Sequence, residues 1–405
     1  MQSIIVERPY QFVPPHRGNL APSLIQAVRL VDHYLNRFEG ITSFEVRGAE
    51  LLRASIDRGD GIVLAPNHCR YADPVAMGWV ARAAKTHVFA MASWHLFNQS
   101  WLQSLAIRLC GGFSVYREGL DRQSLDTAIE ILVNARRPLV VFPEGTVFRS
   151  NDILQPLLDG VAFLARSAAK RRAKRDGGQV VIHPVAIKYV FHGDLEKTLH
   201  PVLSKLEARF QIGSPYAHDK LVPRIERLNK VMLAIKEVDH LGQAQSGPIE
   251  LRKQRLMEHL LTQLEEQWSI VPSEHKVIPR IKALRIKLVP ELLKAEKASP
   301  RRDLIWDALY RAYSVQQIAS YPSSYLDVPT ETRMLETVER IEEDVYDRST
   351  IHRPLHAILS VGEAMRVSDS KPTRHEPDPI IAQLTTALER MLEQLSTASP
   401  IYTGA

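Results

Sequence analysis

The chain of 405 residues is 45% hydrophobic and 24% charged, a balance that supports a large core and excludes wholesale disorder. Its 19 glycines follow no period, which excludes collagen-like and fibrous architectures. The two cysteines, Cys69 and Cys110, leave no disulfide framework and no thiolate zinc site, and they fit a reducing compartment.

The net charge of +6 is unevenly placed. Positions 1–200 hold 24 of the 52 basic and 18 of the 46 acidic residues, so the second half is neutral. The excess suits an anionic partner of the first half, or simply a solvated basic face.

In chain order, residues 1–19 read as an irregular arm with Pro9, Pro14 and Pro15. Ser23 is placed to cap a helix whose Leu24, Val28, Val31, Leu35 and Phe38 recur at helical spacing. Residues 61–65 are a buried-strand signal. Residues 74–85 read as a helix with Asp73 as N-cap and Pro74 at its first position. A strand at 87–92 follows, then an aromatic-rich helical stripe of Trp94, Phe97, Trp101, Leu102 and Leu105. A short strand is expected at 113–116, a helix capped by Ser124, and a further strand at 139–142. Residues 160–175 read as a helix ending in the basic run 170–175. Residues 180–190 form a strand region interrupted by Pro184, which argues for an edge or a bulge.

Short apolar strands separated by helices predict an α/β fold, with a mixed, mainly parallel sheet flanked by helices. Beyond about residue 220 no comparable strand signal recurs. Helices are expected at 222–240, 248–268, 277–298, 301–319, 329–347 and 378–397, with connectors marked by prolines such as Pro272 and Pro372. The expected division is an arm and amphipathic helix at 1–39, an α/β domain at 40–220, an all-helical extension at 221–397 and a loose tail at 398–405. No stretch approaches the roughly 20 apolar residues of a membrane span. The N-terminus carries acid and prolines where a signal peptide needs an apolar core, so an intracellular protein is expected.

The chemistry concentrates at strand ends. His68 and Asp73 stand in N-H-C-R-Y-A-D, immediately after the first buried strand, where open parallel sheets place ligand crevices. Residues five apart on a regular helix point about 140° away from each other. The pair therefore meets only if His68 lies in the turn and Asp73 at the helix start. Asp73 then accepts from one ring nitrogen and leaves the other as a base. The plain alternative is an N-cap beside a polar loop residue. The segment F-P-E-G-T at 142–146 ends another strand on the same edge. Gly145 there permits close backbone approach and Thr146 offers a hydroxyl. The segment 111–117 ends a strand with Arg117, a residue type suited to phosphate.

Taken in this order, the segments resemble the glycerolipid acyltransferases, in particular the 1-acylglycerol-3-phosphate acyltransferase family. That family is known by an N-H-x4-D block, a G-x5-R block, an F-P-E-G-T block and an apolar block around V-P-V. These are similar to residues 67–73, 111–117, 142–146 and 181–187. The resemblance covers about residues 40–215. It departs at Arg70, where members often carry Ser. It departs again at Val147 and Phe148, which precede Arg149 and Ser150 where members continue with Arg-Ser directly.

The resemblance implies direct acyl transfer from acyl-CoA or acyl-carrier protein to the hydroxyl of 1-acylglycerol 3-phosphate. His68 would be the general base and Asp73 its orienting partner, with no metal, no cofactor and no covalent enzyme intermediate. It implies that Arg117, Glu144, Gly145, Thr146 and Arg149 bind the glycerol-phosphate part of the acceptor, and that Pro184 lines the acyl-donor side. Like charges repel, so Glu144 suits a hydroxyl contact or the orienting of an arginine. The implied partners are a lysolipid or glycerol-phosphate acceptor, an acyl thioester donor and a membrane surface, with no nucleic acid. The implied location is cytoplasmic and peripheral, at the inner face of the membrane. Glycerol 3-phosphate or another lysolipid as acceptor is an open alternative, as is a non-catalytic lipid- or protein-binding role. The aromatic stripe reads as core or as a membrane dock. Cys69 reads as a small buried filler, and the role of residues 221–405 is unassigned.

Overall fold

A computed structural model describes residues 5–175, 177–213, 219–271, 276–322, 324–368 and 378–404. Pro272 and Pro372 lie outside the described residues. Among the described residues, the arm has no regular structure as far as Asn19. The expected single amphipathic helix is two, α1 (Leu20–Ala27) and α2 (Leu30–Glu39). Arg29 between them has φ 51°, a left-handed conformation that no continuous helix accommodates. Asn19, not Ser23, occupies the N-cap position of α1.

β1 (Ile41–Arg47) and α3 (Ala49–Asp57) lead into β2 (Gly61–Pro66), all of whose residues are buried. Then come α4 (Asp73–Ala83), β3 (Phe89–Ser93), α5 (Trp101–Leu109), β4 (Gly112–Val115) and α6 (Arg122–Asn134). Asp121, rather than Ser124, caps α6: its carboxylate accepts the Ser124 N–H at 3.0 Å. The two-residue β5 (Leu139–Val140), α7 (Gly160–Arg175), β6 (Val180–Phe191) and α8 (Leu195–Arg209) complete this part. The basic run at the end of α7 is largely committed: Arg172 donates to the carbonyls of Gly59 and Val133, and Arg171 pairs with Asp126.

The C-terminal region holds α9 (Leu221–Leu241), α10 (Ile249–Gln267), α11 (Val277–Lys294), α12 (Pro300–Ala319), α13 (Glu331–Tyr346), β7 (Leu355–Val361), β8 (Met365–Arg366) and α14 (Pro379–Ser396). The helices follow their apolar periodicity closely. Two short strands depart from the expectation that no strand follows residue 220. The sheet order is β1-β7-β6-β2-β5-β3-β4, with β8 beside β6. β7 pairs parallel with β1 and antiparallel with β6. Residues 355–361 thus fill the gap between two strands of the N-terminal half, and the sheet is incomplete at residue 220. The remaining neighbours of β2, β3, β4, β5 and β6 pair in parallel, except β8.

Pro184 is not at an edge. It lies inside β6, opposite Ala65 of β2. Its carbonyl accepts the Gly362 N–H at 2.8 Å, so the side of the backbone that lacks a donor faces the gap between β7 and β8. The ladder there is already interrupted, and the missing N–H leaves no partner behind.

One apolar core lies under β2, β6 and β7 and takes in Leu335, Val338 and Ile341 of α13. A second packs α6 and α7 on the other face. A separate cluster joins α10, α11 and α12 through Leu260, Leu284, Leu288 and Ile305. Residues 399–402, expected to be loose, are tied down. Ile401 bridges Thr330, and the Tyr402 N–H donates to the Pro329 carbonyl at 2.8 Å.

Candidate active site

β2 ends at Pro66, and Asn67 then fixes the turn. Its side chain exchanges two hydrogen bonds with the Ile187 backbone of β6, at 3.0 and 2.7 Å. His68 follows at the C-terminal edge of the sheet. Its Nδ1 lies 2.9 Å from Oδ2 of Asp73. Asp73 opens α4 as its first residue rather than capping it; Ala72 holds the cap position.

Asp73 is wholly buried, and donors surround it. Oδ2 also accepts the Arg70 N–H at 2.9 Å, and Oδ1 accepts the Tyr189 hydroxyl at 2.7 Å. An acceptor-only carboxylate keeps the neutral imidazole protonated on Nδ1 and leaves the lone pair on Nε2. Among the described residues, Nε2 has no hydrogen-bond partner. The ring stacks on Phe142, centroid to centroid 4.2 Å. Burial pushes the Cys69 thiol well up, with Asp73 adding to the effect, so it stays a neutral filler. Burial followed by Asp73 likewise raises the Tyr189 phenol, which keeps its proton and donates.

Glu144 does not face the solvent side of the site. Its Oε1 accepts the His68 N–H at 2.5 Å and its Oε2 the Gln155 N–H at 3.0 Å. Burial pushes its carboxyl up to about 7, against the pull of these two N–H donors. It therefore anchors the backbone of His68 and orients no arginine. Gly145 has φ 75°, and a Cβ there would meet Leu158 Cδ1 at 2.6 Å, so only glycine fits this turn. The same Cβ position lies 3.8 Å from Nη2 of Arg117. Thr146 is half-buried beside it.

Arg117 makes no hydrogen bond or ion pair among the described residues. Desolvation, then the charge of Arg285, lowers it to about 10. The structure thus brings His68, Asp73, Glu144, Gly145 and Arg117 together. It does not add Arg149 or Pro184. Arg149 donates to Glu343 at 2.6 Å, Glu339 at 3.3 Å and Ser349 at 3.1 Å. Pro184 lies five residues from Tyr189 on a strand whose side chains alternate, so the two point to opposite faces. The Pro184 ring lies by Gly362, close to Met391 of α14.

The departures at Arg70 and at Val147–Phe148 have a local explanation. Arg70 pairs with Glu339 of α13 at 2.8 Å. Phe148 is buried, and the two extra positions carry Arg149 onto the same helix. Arg340 closes the joint by donating to the Phe148 and Arg149 carbonyls. Burial would raise the Glu339 carboxyl, but Arg70 and Arg149 hold it below the usual range.

Sequence reasoning missed Tyr189, Glu339 and the α13 contacts. Tyr189 had a signal, two residues beyond Ile187 on the same face of a buried strand. Glu339 had none, because its partners are 190 residues or more away. The aromatic stripe divides: Trp94 and Phe97 are buried, whereas Trp101, Leu102 and Leu105 are exposed. Among the described residues, no three His, Cys, Asp or Glu side chains converge as a metal site, and no helix is long and apolar enough to cross a membrane.

A family model described as Acyltransferase matches residues 43–188, a span containing all four blocks. A 115-residue stretch is 30% identical to a 1-acyl-sn-glycerol-3-phosphate acyltransferase of Streptococcus pneumoniae. That match covers 28% of this chain and 40% of the relative's length. The match of the family model coincides with the sheet edge at which His68 meets Asp73. Over residues 43–188, the chain is thus similar to the acyltransferases, and it spans less than half the length of the curated relative it matches.

Proposed function

We propose that the protein moves a fatty acyl group from acyl-CoA or acyl-carrier protein to the hydroxyl of 1-acylglycerol 3-phosphate. The observation that carries this reading is the unpartnered Nε2 of His68, with Asp73 saturated behind the ring. Nε2 takes the proton of the acceptor hydroxyl as its oxygen attacks the thioester carbonyl. Asp73 stabilises the imidazolium that forms. The tetrahedral oxyanion collapses and expels the thiolate, which takes the proton back from His68. A thioester is already activated, so these steps consume no cofactor. Arg117, without an anionic partner of its own, binds the acceptor phosphate beside the Gly145 turn. The name of the Streptococcus pneumoniae relative supports the choice of acceptor.

The same reading gives the exposed apolar side chains a use. Leu20, Leu24, Val28 and Leu30 on and between α1 and α2, with Trp101 and Leu102 on α5, stand out into solvent. They dock the enzyme peripherally on the cytoplasmic face of a membrane, from which the lysolipid is drawn. Supplying purified protein with labelled acyl-CoA or acyl-carrier protein and a panel of lyso-acceptors tests the reading. Turnover on 1-acylglycerol 3-phosphate is expected; turnover only on acceptors without phosphate, or none, contradicts it.

A further inference from the structure

The helical C-terminal region reaches the active site at a second place, apart from α13. Arg285 of α11 forms an ion pair with Glu118, the residue next to Arg117. Arg117 follows β4, and its guanidinium borders the Gly145 turn. His95 lies just beyond the end of β3, with Nδ1 2.9 Å from Ser93 Oγ. Burial, then Arg117, then Arg285 push the His95 ring down to about 4, so it is neutral at physiological pH. The ends of β2, β3, β4 and β5 are neighbours on one parallel edge, where such sheets bind ligands.

The charges at this edge do not balance. Two guanidinium groups, Arg117 and Arg285, face one carboxylate, Glu118. Arg285 depresses Arg117 electrostatically, as like charges close together do. Glu118 is paired with Arg285 and reaches Arg117 only through space, which leaves Arg117 with no ion-pair partner among the described residues. Protein groups do not complete this arrangement. An incoming dianion does, and guanidinium forks match phosphate geometry.

We propose that Arg285 is a phosphoryl-binding residue, which with Arg117 makes a two-arginine clamp for a substrate phosphate, so that the helical region completes the substrate site of the sheet. This rests on the acyl-transfer reading for the identity of the substrate. On that reading the phosphate is the acceptor's phosphomonoester; coenzyme A carries the same chemical group and forms the second arm of the test. Glu118 holds Arg285 in place until the phosphate competes for it.

Calorimetric titration of the full chain with sn-glycerol 3-phosphate, and separately with coenzyme A, tests the clamp. Arg285→Ala is expected to weaken one of the two at least tenfold, and the one weakened identifies the source of the phosphate. Arg285→Lys should recover part of the affinity as a point charge. Glu118→Gln separates ligation from scaffolding: removal of a competing carboxylate leaves affinity unchanged or tightens it. Weakening by Glu118→Gln equal to that by Arg285→Ala would show that Arg285 only anchors the loop, and overturns the proposal. Unchanged affinity of Arg285→Ala for both ligands, or no binding of either by the wild type, overturns it as well. A chain that binds phosphate through Arg285 but transfers no acyl group refutes the acyl-transfer reading and upholds the clamp.

Discussion

The carboxylate of Glu339 on α13 sits 2.8 Å from the guanidinium of Arg70, two residues beyond His68, and joins the C-terminal region to the loop that carries His68. Both side chains are almost wholly buried. Removing one partner of a buried pair strands the other charge and costs roughly 3–5 kcal/mol. Glu339→Ala is therefore expected to lower the urea midpoint sharply without changing the m-value. Replacing Arg70 with Met in the same chain should restore part of the loss. A surface-like effect of about 0.5 kcal/mol for Glu339→Ala would mean the pair is not formed.

Tyr189 holds Oδ1 of Asp73, while the imidazole and the Arg70 N–H use Oδ2. Tyr189→Phe removes one donor and leaves the other two. We expect kcat to fall about tenfold, equivalent to about 1.4 kcal/mol, with KM nearly unchanged. Folding stability should fall by about 1 kcal/mol. A rise in KM with kcat intact would place Tyr189 in substrate binding instead.

Burial pushes the Glu336 carboxyl up to about 7, despite the opposing charge of Arg70 and the hydrogen bond from Tyr325. Its folded value lies above the usual carboxylate value of 4.5, so protonation favours the folded state. This contribution is fully present below about pH 4.5 and is lost as pH rises through about 7. Its ceiling is roughly 3 kcal/mol. Glu144 titrates with the same sign. Glu336→Gln, which also replaces an oxygen without a partner, should flatten the decline of melting temperature between pH 5 and 8. An identical slope in the variant would refute the assignment.

A chain ending at residue 220 lacks β7, so β1 and β6 lose their shared neighbour. It also loses α13 from the main core. Residues 1–220 alone are expected to show no cooperative thermal unfolding. A sharp two-state transition would restore an independent domain boundary there.

Trp101 is 73% exposed, and Leu102 is also exposed. Replacing both with Ser should weaken co-sedimentation with anionic vesicles severalfold while leaving melting temperature nearly unchanged. Unaltered binding would remove α5 from the membrane dock.

The legible parts of the protein were those governed by local chemistry. The fully buried β2 and the six long C-terminal helices announce themselves by apolar runs and periodicity. The His68–Asp73 contact follows from a strand end meeting a helix start. β7 was hidden because seven residues among helices carry little weight, and only the distant β1 and β6 give them a place. The single helix expected at 24–38 breaks at Arg29, a residue without glycine's signature for a left-handed turn. Arg149 matched a phosphate-binding pattern, yet Glu339 and Glu343, far along the chain, claim its guanidinium. Long-range ion pairs leave no periodic trace.

The most direct test of the central claim is single-turnover acyl transfer to 1-acylglycerol 3-phosphate by the wild type and by His68→Ala, with the fold of each checked by circular dichroism. The account predicts a folded variant whose rate falls by about 10²–10⁴-fold, the usual contribution of a positioned general base. A folded His68→Ala protein that transfers acyl groups at the wild-type rate would contradict it.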